Sequence, residues 1–159
     1  MRAVIMAGLI LAVLGGAAAA APGDAIDVTD NDAMIQFRPV VDCATNPGAP
    51  HLSIYSIQAH CLADPVITEK DFVRLQRLDL GSTLILRAQL TPEAQLKYFY
   101  ATRDHRFRPM ALIVQGRPTQ VWEVGGAARP VWLTVTGGYL TDAHANEVAR
   151  RYYAQGGRG

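Results

Sequence analysis

The sequence predicts an α+β fold, a mainly antiparallel sheet with about three helices packed on one face. Three observations predict it. Short β-rich segments open the chain, a tight hairpin signal joins two later ones, and helix-type stretches alternate with them, each entered through a threonine cap. Strands come first, then helix, strand, helix, hairpin, strand and helix, without an internal repeat.

Met34 to Val41 carries apolar Met34, Ile35, Phe37, Val40 and Val41 around Gln36 and Arg38, a strand pattern in which Pro39 implies an edge or bulged position. Asn46-Pro47-Gly48 signals a turn. His51 to Gln58, with Leu52, Ile54, Tyr55 and Ile57, reads as a second strand able to form a hairpin with the first. Thr68 is expected to cap a short helix, since Glu69 and Asp71 suit its positive end and Phe72 and Leu75 supply one apolar side. Ser82 to Leu90 reads as a buried strand.

Thr91-Pro92-Glu93 is the clearest helix start. Proline loses nothing at the first helical position, where its missing amide had no partner, and Glu93 complements the helix dipole. This helix should run to Asp104 with Leu96, Phe99 and Tyr100 buried on one face. Pro109 to Val114, a turn at Gln115-Gly116-Arg117 and Pro118 to Val124 predict a hairpin, with Gly116 supplying a positive backbone dihedral and Pro118 placing the return strand at an edge. After a break at Gly125 to Arg129, Val131 to Val135 reads as a strand and Gly137-Gly138 as a turn. Thr141 then caps a last helix whose Ala145, Val148, Ala149 and Tyr152 recur at helical spacing. The expected organisation is one domain over 33–155, after a flexible lead-in at 21–32 and before a flexible tail at 156–159.

Met1 to Ala20 has one cation, Arg2, an apolar run from Ala3 to Leu14, and then small residues. The run is shorter than the ~20 residues a spanning helix needs, so a secretory signal peptide cleaved after Ala20 is expected, with the mature protein in the periplasm. Without Arg2 the 15 Lys and Arg become 14, against 14 Asp and Glu. A neutral chain argues against nucleic acid and anionic lipid as main partners, and stable membrane insertion after cleavage is not expected. Cys43 and Cys61 are the two cysteines, and in an oxidising compartment they are expected to pair. A redox pair would more usually be spaced Cys-x-x-Cys. A zinc site of Cys61 with His60 and His51 is disfavoured because ligands on neighbouring residues splay apart.

From Cys61 to Ala149 the chain resembles the head subdomain of the first periplasmic domain of SecD, of the SecDF protein-export family. Asp64-Pro65-Val66-Ile67-Thr68-Glu69-Lys70-Asp71 is similar to the "P-V-L-T-x-x-D" entry of that family, and Leu90 to Phe99 with Thr102 to "L-x-x-E-G-A-x-x-F-x-x-x-T". Pro109 to Gly116 resembles "P-L-A-I-V-L-D-G", and Thr134 to Tyr139 with Ala145 and Ala149 resembles "I-T-G-x-F" and its following helix. Gln115 departs from the acidic hairpin residue of the pattern, and the base subdomain and membrane spans of SecD have no counterpart in this sequence. The resemblance implies contact with unfolded or extended polypeptide, or with a periplasmic or membrane partner of the export machinery.

The residues themselves point to a binding module that is not an enzyme and needs no cofactor or metal. His105, beside Arg103, Asp104 and Arg106, reads as charge compensation at a helix end, and His144, near Asp142 and Glu147, as a solvated helix residue. A small hydrolase or metal-dependent enzyme using either histidine is the alternative, and a structural envelope protein a third. Ser53 and Ser82 lack a nucleophile-elbow context, and Gly137-Gly138 lacks a phosphate-loop lysine. Candidate binding residues are Val121 and Trp122 on the edge strand, with Trp132 on a strand expected to neighbour it, and Tyr139. An open strand edge can add an extended peptide, and aromatic rings supply sequence-tolerant apolar contact.

Overall fold

The computed structural model describes residues 33–52, 60–81, 83–135 and 140–159. The expected signal peptide and lead-in, Ser53, Ser82, Gly137-Gly138 and Tyr139 lie outside the described residues. The main sheet is built on β1 (Ile35–Asp42), which pairs antiparallel with β7 (Pro109–Val114) along one edge and with β3 (His60–Leu62) and β4 (Ile67–Thr68) along the other. β2 (His51–Leu52) joins outside β3, and β8 (Arg117–Glu123) outside β7. A second sheet has the order β5 (Phe72–Leu80), β6 (Thr83–Leu90), β9 (Trp132–Thr134). Two α-helices, α1 (Pro92–Asp104) and α2 (Asp142–Ala154), are found among the described residues. The mainly antiparallel architecture is as expected, and the helix number is smaller.

The missing helix is instructive. Thr68 leads into a single 3-10 turn, Glu69–Asp71, and Phe72 onward is strand β5, paired with β6 along its length. Phe72 and Leu75 stand three apart and both face the core, which mimics helical spacing. A bulge produces this phase: Phe72 opposes Leu90 and Arg74 opposes Gln89, so Val73 is an extra residue and Leu75 returns to the Phe72 side. The acidic residues expected to suit a positive helix end also tie elements together. The Glu69 carboxylate accepts from the amides of Met34 and Ile35, both at 2.9 Å. Asp71 accepts from the Thr68 amide at 3.0 Å and from Lys97 Nζ at 2.9 Å.

Pro39 does not make β1 an edge. β4 pairs with Gln36 and Phe37 while β3 begins at Val40, so the proline falls in the gap between these two partners, where its missing amide disrupts no ladder bond. Of the second strand expected at His51 to Gln58 only β2 lies within the described residues, and β2 pairs with β3 while β3 pairs with β1. Ile35, Phe37, Met110, Leu112 and Val114 on one side of the main sheet share the principal core with Leu75, Leu86, Tyr98 and Val148. On the opposite side Val40, Leu52, Leu62, Ala111 and Ile113 form a smaller core. There Arg38 is almost fully buried: its Nε donates to the Ala63 carbonyl at 2.6 Å and its Nη1 to Gln36 Oε1 at 3.2 Å. Burial lowers the guanidinium pKa from its usual value, partly opposed by Asp64.

α1 begins as expected, with the Thr91 hydroxyl accepting from the Ala94 amide at 3.1 Å. Its buried face is Ala94, Tyr98 and Thr102, whereas Leu96 and Tyr100 are 40% and 51% exposed and Phe99 is half-buried. The small residues allow close approach: the Thr102 hydroxyl donates to the Tyr98 carbonyl and accepts from the Ala128 amide at 3.0 Å. α2 buries the expected Ala145, Val148, Ala149 and Tyr152. Beyond it, the segment read as a tail makes its own contacts, since the Arg158 carbonyl accepts from the Leu75 amide at 2.9 Å.

The β7–β8 hairpin closes through Gln115 and Gly116, both with positive φ, at 51° and 74°. Two successive positive dihedrals define a type I′ turn, which favours Asn-Gly over Gln-Gly. A Cβ added at Gly116 meets nothing within 4 Å, so an alanine there suffers backbone strain alone. Gln115→Asn should raise stability by about 0.5 kcal/mol and Gly116→Ala should lower it by about 1 kcal/mol, read as opposite shifts of the urea midpoint at constant m.

On α2, hydrogen bonds from Arg150 and then Arg151 lower the Glu147 carboxyl pKa from 4.5 to about 2. A depressed folded-state value means that ionisation favours the folded chain. The contribution is full above the unfolded value and is lost as pH falls through the folded one. Because the groups are exposed, its size is small and salt-sensitive. An NMR titration of the Glu147 side-chain carboxyl should give a midpoint near 2, moving upward in high salt; an unshifted midpoint would break the assignment.

Candidate functional site

Among the described residues, β8 and β9 each pair along one side only. The outer side of β5, by contrast, is engaged at Leu75, whose amide donates to Arg158 O and whose carbonyl accepts from Tyr153 Oη at 2.9 Å. Unsatisfied strand edges are sites where another chain can pair. β8 is also bulged: Leu112 opposes Gln120 while Ile113 opposes Pro118, leaving Thr119 extra, with its buried hydroxyl donating to the Leu112 carbonyl at 3.2 Å.

Val121 and Trp122 lie on this edge, as expected, but on opposite faces. Val121 opposes Ala111, on the side of the smaller core, and is 40% exposed. Trp122 opposes Met110 and packs against the principal core, its ring meeting Phe37 edge-on at 6.0 Å between centroids. Its indole N–H is also placed to donate to Tyr98, whose pKa burial raises and this hydrogen bond partly lowers. Trp122 is therefore largely a structural residue.

Trp132 does not neighbour it. The break at Gly125 to Arg129 carries the chain from the main sheet to the second sheet, so the two tryptophans occupy different sheets. Trp132 opposes Gln89, whose other neighbour is Arg74, and the ring is covered by two guanidinium groups: Arg87 at 4.4 Å and Arg74 at 5.1 Å from its centroid. Arg87 is braced by Gln76 Oε1, which accepts from its Nε and Nη2 at 3.1 and 2.9 Å. Arg74 Nε is buried without a hydrogen-bond partner among the described residues. The resulting face is aromatic and cationic, suited to apolar contact and to carboxylates together. Sequence reasoning missed both arginines, because they are thirteen positions apart and only the β5–β6–β9 register gathers them around Trp132.

Among the described residues, neither His105 nor His144 gathers a catalytic set. His144 is exposed on the first turn of α2, where Asp142 accepts from the Leu84 amide and Glu147 holds Arg150 and Arg151. His105 caps α1, its neighbour Asp104 pairs with Arg103 at 2.8 Å, and its buried Nδ1 has no hydrogen-bond partner among the described residues. General acid–base work needs convergent groups within hydrogen-bond reach, and these carboxylates are directed elsewhere.

Cys43 and Cys61 form the expected disulfide, with Cα atoms 5.0 Å apart. The structure also brings His51, rather than His60, beside both sulfurs. An open groove of about 860 Å³ adjoins Cys43, bordered by Asp42, His60, Arg108 and Pro109.

No protein-family model matches the sequence, and the curated proteins give no significant match. Solved structures do. One, described as "Crystal structure of SecDF in Super-membrane-facing form", superposes with a TM-score of 0.53 and 19% identity over 74% of this chain. The fold is similar to that of part of SecDF. A second structure, of "a membrane component SecDF that enhances protein export", matches with the same score, identity and coverage. The likeness agrees with the SecD-type turn and core patterns in the sequence. This chain spans 18% of the first SecDF chain and 60% of the second. No helix among the described residues is long and apolar enough to cross a membrane.

The two tryptophans should separate cleanly in stability. Trp122→Ala removes a ring seated on the core and should lower unfolding free energy by about 2–3 kcal/mol, whereas Trp132→Ala loses mainly cation–π contact, about 1 kcal/mol. Equal losses in chemical denaturation would contradict their placement.

Proposed function

We propose that the chain is a non-enzymatic binding module that contacts extended or unfolded polypeptide, or a partner protein of the envelope, in the service of protein export or envelope quality control. The observation that carries the reading is the open edge of β8, unpaired on its outer side among the described residues and bearing half-exposed Val121. A peptide adding there gains backbone hydrogen bonds whatever its sequence. Trp132 with Arg74 and Arg87 offers a second contact surface tolerant of apolar and acidic side chains. The likeness to SecDF, the Cys43–Cys61 disulfide and the signal-peptide pattern of Met1 to Ala20 support a periplasmic setting.

Binding through an edge of seven residues should be weak and broad. Anisotropy of a labelled, permanently unfolded polypeptide should report saturable binding by the wild-type protein. Val121→Pro, which removes a donor and bends the strand, should weaken it at least about tenfold, and Trp132→Ala should weaken it less. Identical binding by all three proteins, each with native circular dichroism, would overturn the edge mechanism.

A further inference from the structure

We propose that Cys43, Cys61 and His51 form a metal site that the disulfide masks: once the bond is reduced, the two thiolates and the imidazole bind one Zn²⁺ ion. The ligand atoms of these three residues already lie within 4.8 Å of one another. His51 Nδ1 stands 3.6 Å from Cys43 Sγ and 3.8 Å from Cys61 Sγ. Tetrahedral zinc with bonds of about 2.3 Å to sulfur and 2.0–2.1 Å to nitrogen places its ligand atoms about 3.5–3.8 Å apart, so both sulfur–nitrogen edges are preformed. Only the sulfurs must separate, by side-chain rotation, to admit the ion. Water fills the fourth position.

The backbone holds this arrangement independently of the sulfur–sulfur bond. His51 is the direct cross-strand partner of Cys61 in the β2–β3 ladder, and Val41, one residue before the end of β1, is the partner of Cys61 on its other side. Cys43 follows two residues later in a turn fixed by the Asn46 amide donating to the Cys43 carbonyl at 3.2 Å and the Thr45 amide donating to the Asp42 carbonyl at 3.3 Å. His60, adjacent to Cys61, alternates to the other side of the strand and belongs to the groove instead. The donor set, two soft thiolates and one imidazole, suits Zn²⁺ over Mg²⁺ or Ca²⁺.

The chemistry requires a two-electron reductant, and a dithiol serves. Cys61 is 1% exposed while Cys43 lines the groove, so a thiolate of the reductant attacks Cys43 Sγ. The electron pair of the broken bond leaves on Cys61 as thiolate, next to His51. The second thiol of the reductant then resolves the mixed disulfide, leaving the reductant oxidised to its own disulfide and both protein cysteines reduced. Zn²⁺ takes the two thiolates and neutral imidazole Nδ1, and any thiol proton still present goes to solvent. Bound metal blocks reoxidation, so the two states are mutually exclusive.

The test uses the full chain with Zn²⁺ in competition with a chromogenic chelator, and Co²⁺ as a spectroscopic substitute, before and after anaerobic reduction with a phosphine removed by gel filtration. The oxidised protein should bind neither ion at this site. The reduced protein should bind one equivalent, with thiolate-to-cobalt charge-transfer absorption, and should re-form its disulfide more slowly when zinc is present. His51→Ala, at an exposed position, should weaken zinc binding at least about tenfold, while His60→Ala should leave it unchanged. Absence of charge-transfer absorption in reduced protein that keeps its native circular dichroism would overturn the proposal, as would zinc affinity unaffected by His51→Ala or lost in His60→Ala.

Discussion

Strand β1 is paired along both edges and buried on both faces, and the other elements take their positions from it. Its amides at Met34 and Ile35 are gripped by Glu69, which anchors the 3-10 turn that starts β5 and so fixes the second sheet relative to the first. The next acidic residue, Asp71, reaches α1 through Lys97 and through its own carbonyl, which accepts from the Thr91 amide at 3.0 Å. Two carboxylates two positions apart thus connect the main sheet, the second sheet and the first helix. Such bonds satisfy backbone donors that the principal core would otherwise leave unpaired.

What could be read from the sequence was local, and what could not was relational. The Thr91-Pro92 and Thr141 helix starts and the Gln115-Gly116 turn each carry their signal within a few residues, the pairing of the two cysteines follows from their count, and each is present in the structure. β5 was misread as a helix because a bulge at Val73 gives a strand the three-residue spacing of a helix, and no local feature of Phe72 to Leu75 distinguishes the two. The face of α1 was misassigned because large apolar residues outnumber small ones, yet the helix approaches its neighbours through Ala94 and Thr102, where only small side chains fit. The aromatics left outside are partly covered by their own helix, as Arg103 over Tyr100 illustrates.

The candidate site divides in the same way. Val121 and the two tryptophans were visible as apolar residues on strands, but their orientation depended on register. Opposition to Met110 turns Trp122 onto the face of the principal core, and the route of the chain through Gly125 to Arg129 places Trp132 in another sheet beside Arg74 and Arg87. The grouping of His51 with Cys43 and Cys61 likewise follows from a two-residue strand pairing that the sequence does not announce.

The proposed contact with a foreign chain, rather than self-association, rests on the character of the open edges. Long, flat, apolar edges template aggregation, whereas short strands with charges, prolines and bulges resist it. β8 begins with Arg117 and Pro118, ends with Glu123 and is bulged at Thr119, and β9 has three residues flanked by guanidinium groups. Each retains enough free backbone to pair for a few residues. Neither presents the length or flatness that would let two copies zip together. The proposed transient capture of an extended segment would therefore require no rearrangement of the fold, because the features that discourage permanent pairing leave a short, sequence-tolerant stretch of edge available.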